Sequence, residues 1–188
     1  MGALLAGGHE VLLALALDPV FVQLLMEKCL VTAKEFARAQ IFSGCSVIGV
    51  GDAICSQISP EMYKTWVLPL HQELFSSIRS LGALGKLHIC GNITHLLPHI
   101  ATAGADIIDL DWMVDLEKAR ATVGENIALC GNLNPVAVVR DRSAEEVYGA
   151  SRALVETERG NRFILSGGCE LPADTPHDNL RSMRRAAG

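Results

Sequence analysis

From about residue 45 onward the chain repeats one phrase: a short apolar run, a loop carrying Gly, Asn or Asp, then a stretch with helical periodicity. The apolar runs fall at 46–50, 86–90, 106–111, 127–130 and 163–166, and the helical stretches near 60–81, 92–103, 115–123, 143–158 and 176–186. Strands separated by single helices pair in parallel, because each connection must cross back over the sheet, and the helices then cover it. A further helix over 19–39 precedes the first unit. No linker or low-complexity segment interrupts the units, so residues 1–188 read as a single domain. A complete eight-stranded barrel takes roughly 250 residues. The expected fold is therefore α/β, a partial TIM-type (β/α)8 barrel of about five C-terminal βα units whose opening strands are missing.

Several helix starts carry capping chemistry. Asp18-Pro19, Ser59-Pro60 and Thr175-Pro176 each place a capping side chain before a proline at the first helical position, and Ser143 with Glu146 has capping-box spacing. Pro69 falls inside the 60–81 stretch and should kink it.

Charge narrows the function. The 16 Lys+Arg against 21 Asp+Glu leave a net charge of −5, which gives no electrostatic case for nucleic acid or an anionic membrane surface. The apolar stretch 11–17 is too short to span a bilayer and follows Glu10 instead of a basic segment, so it reads as a helix and not a signal peptide. The six cysteines are scattered through apolar segments, the usage of a reduced, cytoplasmic protein. Cys29, Cys45 and Cys130 read as core packing and Cys55 as a loop thiol. Asn92-Ile93-Thr94 matches a glycosylation sequon, a match short enough to arise by chance.

In a parallel barrel the loops after the strands form the active face. Here the strand ends deliver Gly51-Asp52, His88-Ile89-Cys90-Gly91-Asn92, Asp109-Leu110-Asp111, Cys130-Gly131-Asn132 and Ser166-Gly167-Gly168-Cys169-Glu170. Alternation along a strand sets His88 and Cys90 on one face and Leu87 and Ile89 on the other. It likewise turns Asp109, Asp111 and Asn132 inward. One imidazole and two thiols converging on the rim are the make-up of a catalytic zinc site with an open fourth position, because zinc prefers nitrogen and sulfur where magnesium or calcium takes carboxylates. By itself an HxC pair is a weak signal, since a buried cysteine is usually inert packing.

The segments LHICGN, DLDWMVDLEKA, LCGNLNPV, the following AEEV helix and ILSGGCELPADTPHDNL resemble, in order and separation, signature segments of the uroporphyrinogen decarboxylase superfamily. They are most similar to its cobamide-dependent branch, the methylcobalamin:coenzyme M type methyltransferases, over most of residues 18–188. Decarboxylases carry a GHG-type histidine sequence where this chain has Gly168-Cys169, and lack the HxC pair. The HxC plus distant Cys arrangement is also similar to that of cobalamin-independent methionine synthases.

The resemblance implies that His88, Cys90 and Cys169 hold Zn²⁺, and that a thiol such as coenzyme M or a related acceptor takes the open position. A methylated corrinoid, carried by a corrinoid protein, would be the methyl donor. Asp52 and Asp109 match family positions with a catalytic orienting role and Asn132 a substrate-binding one, although Asp and Asn also cap helices and close turns. Asn134 stands where the family usually shows aspartate and is assigned no role. The family's opening strands have no counterpart in this sequence, so either the chain is a fragment or another chain completes the barrel. A tetrapyrrole decarboxylase and a non-catalytic remnant are the competing functions.

Overall fold

The computed structural model describes residues 8–188. Five strands, β1 (Val47–Gly51), β2 (Leu84–Ile89), β3 (Ile107–Leu110), β4 (Ala128–Leu133) and β5 (Phe163–Gly167), form one sheet in chain order, each pairing parallel with the next. Helices α1 (Gly8–Leu17) and α2 (Pro19–Phe42) precede the sheet. Helix α3 follows β1 in three contiguous segments, Pro60–Met62, Tyr63–Val67 and Leu68–Ser80. The remaining crossovers carry the short α4 (Leu97–Ile100), α5 (Leu116–Val123) and α6 (Ala144–Thr157), and α7 (His177–Ala187) follows β5. The outer edges of β1 and β5 have no strand beside them among the described residues, so the sheet is an open run of five barrel staves.

Local chemistry accounts for most of the helix starts. Asp18 accepts from the Phe21 amide at 3.0 Å, Ser59 from Met62 at 3.1 Å, and Ser143 and Glu146 close a reciprocal capping box. Thr175 is the exception. Its hydroxyl donates to the Pro172 carbonyl at 2.7 Å, so it is spent in the preceding turn and α7 starts without a side-chain cap. The disturbance expected at Pro69 appears one turn earlier as a π-helical turn, Tyr63–Val67, in which the Leu68 amide reaches back to the Tyr63 carbonyl. Proline has no amide to give and its ring crowds the carbonyl four residues back, and the widened turn absorbs both defects.

Strand alternation sorts the sheet into two unlike faces. Ile48, Leu87, Ile89, Ile108, Leu110 and Leu129 point toward the helices and are buried there, each burial worth about 1.5–3 kcal/mol. The opposite face presents Lys86, His88, Asp109, Cys130 and Asn132, with His88 level with Asp109 and Asp109 level with Cys130. On this inner face the apolar side chains Val47, Leu84 and Ile164 stay 42%, 48% and 45% exposed, where a closed barrel would bury them.

Arg120 ties the second half of the sheet together. It donates to the buried Glu158 carboxylate at 2.7 and 2.9 Å and to the carbonyls of Gly124, Ile127 and Arg162, joining α5, the start of β4 and the end of α6. Removing one partner of such a buried pair strands the other charge. Glu158→Ala should therefore lower unfolding stability by about 3–5 kcal/mol in urea titration. A loss under about 1 kcal/mol, the range of surface pairs, would show the pair to be solvated and dispensable.

Candidate metal centre

His88 and Cys90 arrive together at the C-terminal end of β2, and Cys169 arrives two residues beyond the end of β5. His88 Nε2 lies 3.2 Å from Cys90 Sγ, and Cys90 Sγ lies 3.8 Å from Cys169 Sγ. All three ligand atoms lie within 4.8 Å of one another, on half-buried side chains. Two thiolates bound at ~2.3 Å to one tetrahedral ion stand about 3.8 Å apart, so the sulfur spacing fits zinc without rearrangement.

The imidazole is oriented for the task. His88 Nδ1 lies 3.0 Å from the Asp109 carbonyl oxygen, which can only accept, so Nδ1 carries the hydrogen and Nε2 keeps its lone pair toward Cys90. Burial, then the neighbouring Cys169 thiol and the Asp111 charge, push the Cys90 thiol well above its ordinary range. A bound cation reverses that balance, because it stabilises the thiolate that this environment penalises.

Cys169 reaches the site through a glycine. The Gly168 amide donates to the Leu133 carbonyl at 2.7 Å, and a Cβ built on Gly168 would lie 2.2 Å from the Trp112 backbone nitrogen. Only a residue without a side chain lets the strand end pass this close to the β3–α5 loop. That loop is held by Asp111, which is buried and accepts from the amides of Gly91 at 2.8 Å and Met113 at 3.0 Å. Asn132, also buried, donates to the carbonyls of Asp111 at 3.2 Å and Val114 at 2.6 Å.

Asp109 faces the barrel interior directly below the donor group. Its carboxylate lies 2.7 Å from Lys86 Nζ and 3.7 Å from His88 Nδ1. Partial burial alone would lower the Lys86 pKa, but the Asp109 hydrogen bond and charge outweigh it, so Lys86 stays a cation. Beside them Cys130 is buried on the same inner face, its thiol pushed up to about 11 by burial and then by Asp109. The sequence reading gives Lys86 no role and Cys130 only core packing. The signal was present, since Lys86 lies two residues before His88 and Cys130 two before Asn132, which puts each on the inward face.

Asp52 is at the rim but turned elsewhere. It continues the Ile48 and Val50 parity of β1, toward the helices, where its Oδ2 receives the Cys55 thiol at 3.0 Å and lies 3.3 Å from His71 Nε2. His71 Nδ1 is in turn 2.9 Å from the Tyr63 hydroxyl. Burial would raise the Asp52 pKa, but the hydrogen bond and charge of His71 outweigh it and hold the carboxyl below its usual value. Burial followed by Asp52 itself pushes the Cys55 thiol far up, so Cys55 is a buried donor and not a free loop thiol. Cys45 is exposed on the turn between α2 and β1 instead of packed in the core, and Cys29 is half-buried. Asn134 accepts from the amides of Val136 and Ala137 and so caps the turn after β4.

Residues 2–188 match the sequence profile of the uroporphyrinogen decarboxylase (URO-D) family. The chain is 32% identical over 168 residues to the methylcobamide:CoM methyltransferase MtbA of Methanosarcina mazei, covering 88% of this chain and 48% of that protein. It is likewise 32% identical over 159 residues to the uroporphyrinogen decarboxylase of Carboxydothermus hydrogenoformans, covering 85% and 45%. The chain thus spans about half the length of these curated relatives. Among solved structures, a methyltransferase from Methanosarcina mazei superposes with a TM-score of 0.91 at 19% identity, over 99% of this chain and 54% of that one. A B12-independent methionine synthase from a Shewanella species superposes with a TM-score of 0.67 at 15% identity, over 88% and 53%. The five-stranded sheet is therefore part of the barrel that these proteins share.

The close passage at Gly168 makes a test that leaves the ligands untouched. Gly168→Ala should displace Cys169 and weaken zinc binding about 10–100-fold in chelator competition, the range seen for residues that support a metal site. Cys90→Ala combined with Cys169→Ala should abolish stoichiometric zinc. Zinc held equally well by all three proteins would remove the assignment.

Proposed function

The chain belongs to the uroporphyrinogen decarboxylase family, and on that footing we propose that it is a zinc-dependent methyltransferase, moving a methyl group from a methylated corrinoid to a thiol such as coenzyme M. One observation carries the choice between the family's two reactions: an imidazole and two thiols gathered within 4.8 Å on the rim. A tetrapyrrole decarboxylase has no use for paired thiolates in its pocket, whereas a thiol-activating centre requires soft ligands.

In this reading His88, Cys90 and Cys169 would hold Zn²⁺, and as three donors they would leave room for a thiol ligand. A bound Zn²⁺ supplies Lewis acidity there, lowering the pKa of an incoming thiol so that it reacts as a thiolate. The protein's own groups set the geometry. The Asp109 carbonyl fixes the tautomer and ring plane of His88, and the Lys86 ammonium engages the Asp109 carboxylate from below. Asp109 therefore acts by orienting a ligand. Asn132 holds the β3–α5 loop through the carbonyls of Asp111 and Val114, and Asp52, held on the helix side by Cys55 and His71, meets β2 through its amide, which donates to the His88 carbonyl at 2.9 Å. With Zn²⁺ bound, two thiolates and a neutral imidazole would sum to a net charge near zero, so an approaching thiolate would meet no net negative charge. The donor would be presented by a corrinoid protein, and no helix among the described residues is long and apolar enough to cross a membrane.

The decarboxylase reading keeps one point in its favour, the equal 32% identity to the decarboxylase from Carboxydothermus hydrogenoformans. Thiol titration separates the two. Adding a small thiol to the zinc-loaded chain near neutral pH should release close to one proton per site, and cobalt substitution should show an added sulfur ligand. Asp109→Asn should leave zinc stoichiometry intact. A zinc-loaded chain that takes up no thiol and removes carboxylate from a uroporphyrinogen would replace the methyltransferase reading with the decarboxylase one.

A further inference from the structure

Cys90 and Cys169 are separated by 79 positions in sequence, yet their sulfurs stand in contact at 3.8 Å. Both side chains are half-buried, so small reagents reach them. The other thiols are placed differently. Cys55 and Cys130 are buried, Cys55 engaged by Asp52, while Cys45 is exposed on a turn and Cys29 lies on α2. A pair of neighbouring thiols just past the ends of two different strands has two chemically exclusive uses. Each sulfur can donate an electron pair to a metal, or the two sulfurs can bond to each other.

We propose that the Cys90–Cys169 pair is a reversible oxidation site at which a small disulfide closes a cross-strand bond and thereby shuts off metal uptake. The metal half of this inference rests on the zinc reading above, while the bond itself does not. The chemistry balances with one oxidant. The thiolate of one cysteine attacks a sulfur of RSSR, forming a mixed disulfide and releasing RS⁻. The second cysteine then attacks the protein sulfur of that mixed disulfide and expels the second RS⁻. The two thiol protons go to the two leaving thiolates, so two Cys–SH and RSSR become one Cys–S–S–Cys and two RSH.

The contact makes the second step intramolecular between groups already touching, which favours the internal bond over a lasting mixed disulfide. The new bond, at ~2.0 Å, draws the sulfurs well inside the 3.8 Å that they occupy here and removes both thiolates as ligands. His88 is then left as the sole member of the donor group, and one imidazole does not retain zinc against water. Zinc already in place opposes the reaction from the other direction, because the link forms only if both sulfurs leave the metal.

The experiment equilibrates the metal-free full chain with glutathione and its disulfide over a range of ratios, alkylates the remaining thiols and maps them by peptide mass. The expected result is one internal link, Cys90 to Cys169, with Cys29, Cys45, Cys55 and Cys130 alkylated. Zinc uptake should fall from about one ion per chain to none in proportion to the link, and dithiothreitol should restore it. Cys169→Ser should instead stop at a glutathione adduct on Cys90, and zinc loaded beforehand should suppress the link. The inference is overturned if other cysteines pair first, or if the linked chain binds zinc as well as the reduced one. A reduced chain that binds no zinc, while the link still forms, removes the metal reading and the gating with it.

Discussion

The polar rim depends on the parallel register of β2 against β3. With His88 level with Asp109, the carbonyl of Asp109 meets the imidazole Nδ1 at 3.0 Å, and that one contact decides which nitrogen is left to face the thiols. A shift of one residue would reverse every side chain of β2, sending Leu87 and Ile89 inward and His88 and Cys90 into the helix layer. The register is held because the reversal would expose the apolar set that β2 buries against the helices. The hydrophobic pattern of the outer face is thus what aims the chemistry of the inner one.

A second constraint is closeness. Cys169 meets Cys90 only because β5 ends in a glycine pair that slides against the backbone of Trp112, and because Asp111 and Asn132 hold that loop in place. These buried polar residues satisfy backbone groups that would otherwise be stranded, which gives the rim a fixed shape before any ligand arrives. The inner face tells a complementary story. The half-exposed Val47, Leu84 and Ile164 share that face with the half-buried Asp109 and the buried Cys130, on a sheet with two unpaired edges among the described residues. Such a surface is suited to being enclosed by further strands, in keeping with relatives about twice as long.

Much of this was legible in the residues. The five apolar runs, the intervening helical periods and the capping pairs at Asp18, Ser59 and Ser143 determined five parallel strands and their crossovers, because secondary structure follows local pattern. Strand parity also determined that His88, Cys90, Asp109 and Asn132 face inward, since alternation is a property of the extended backbone itself. What only the tertiary structure decided was partnership. Asp52 looked equal to Asp109, yet Cys55 and His71, drawn in by the turn after β1 and by α3, claim it on the helix side. Strand parity turns Lys86 and Cys130 inward as well, but that Asp109 engages both is set by the neighbouring strand. Thr175 loses its cap to a carbonyl three residues back, and Cys45, apolar by sequence context, ends exposed on a turn. The physical reason is the same in each case: a sequence specifies what a side chain can bond to, while the packing of distant segments settles which of several competent partners comes within reach.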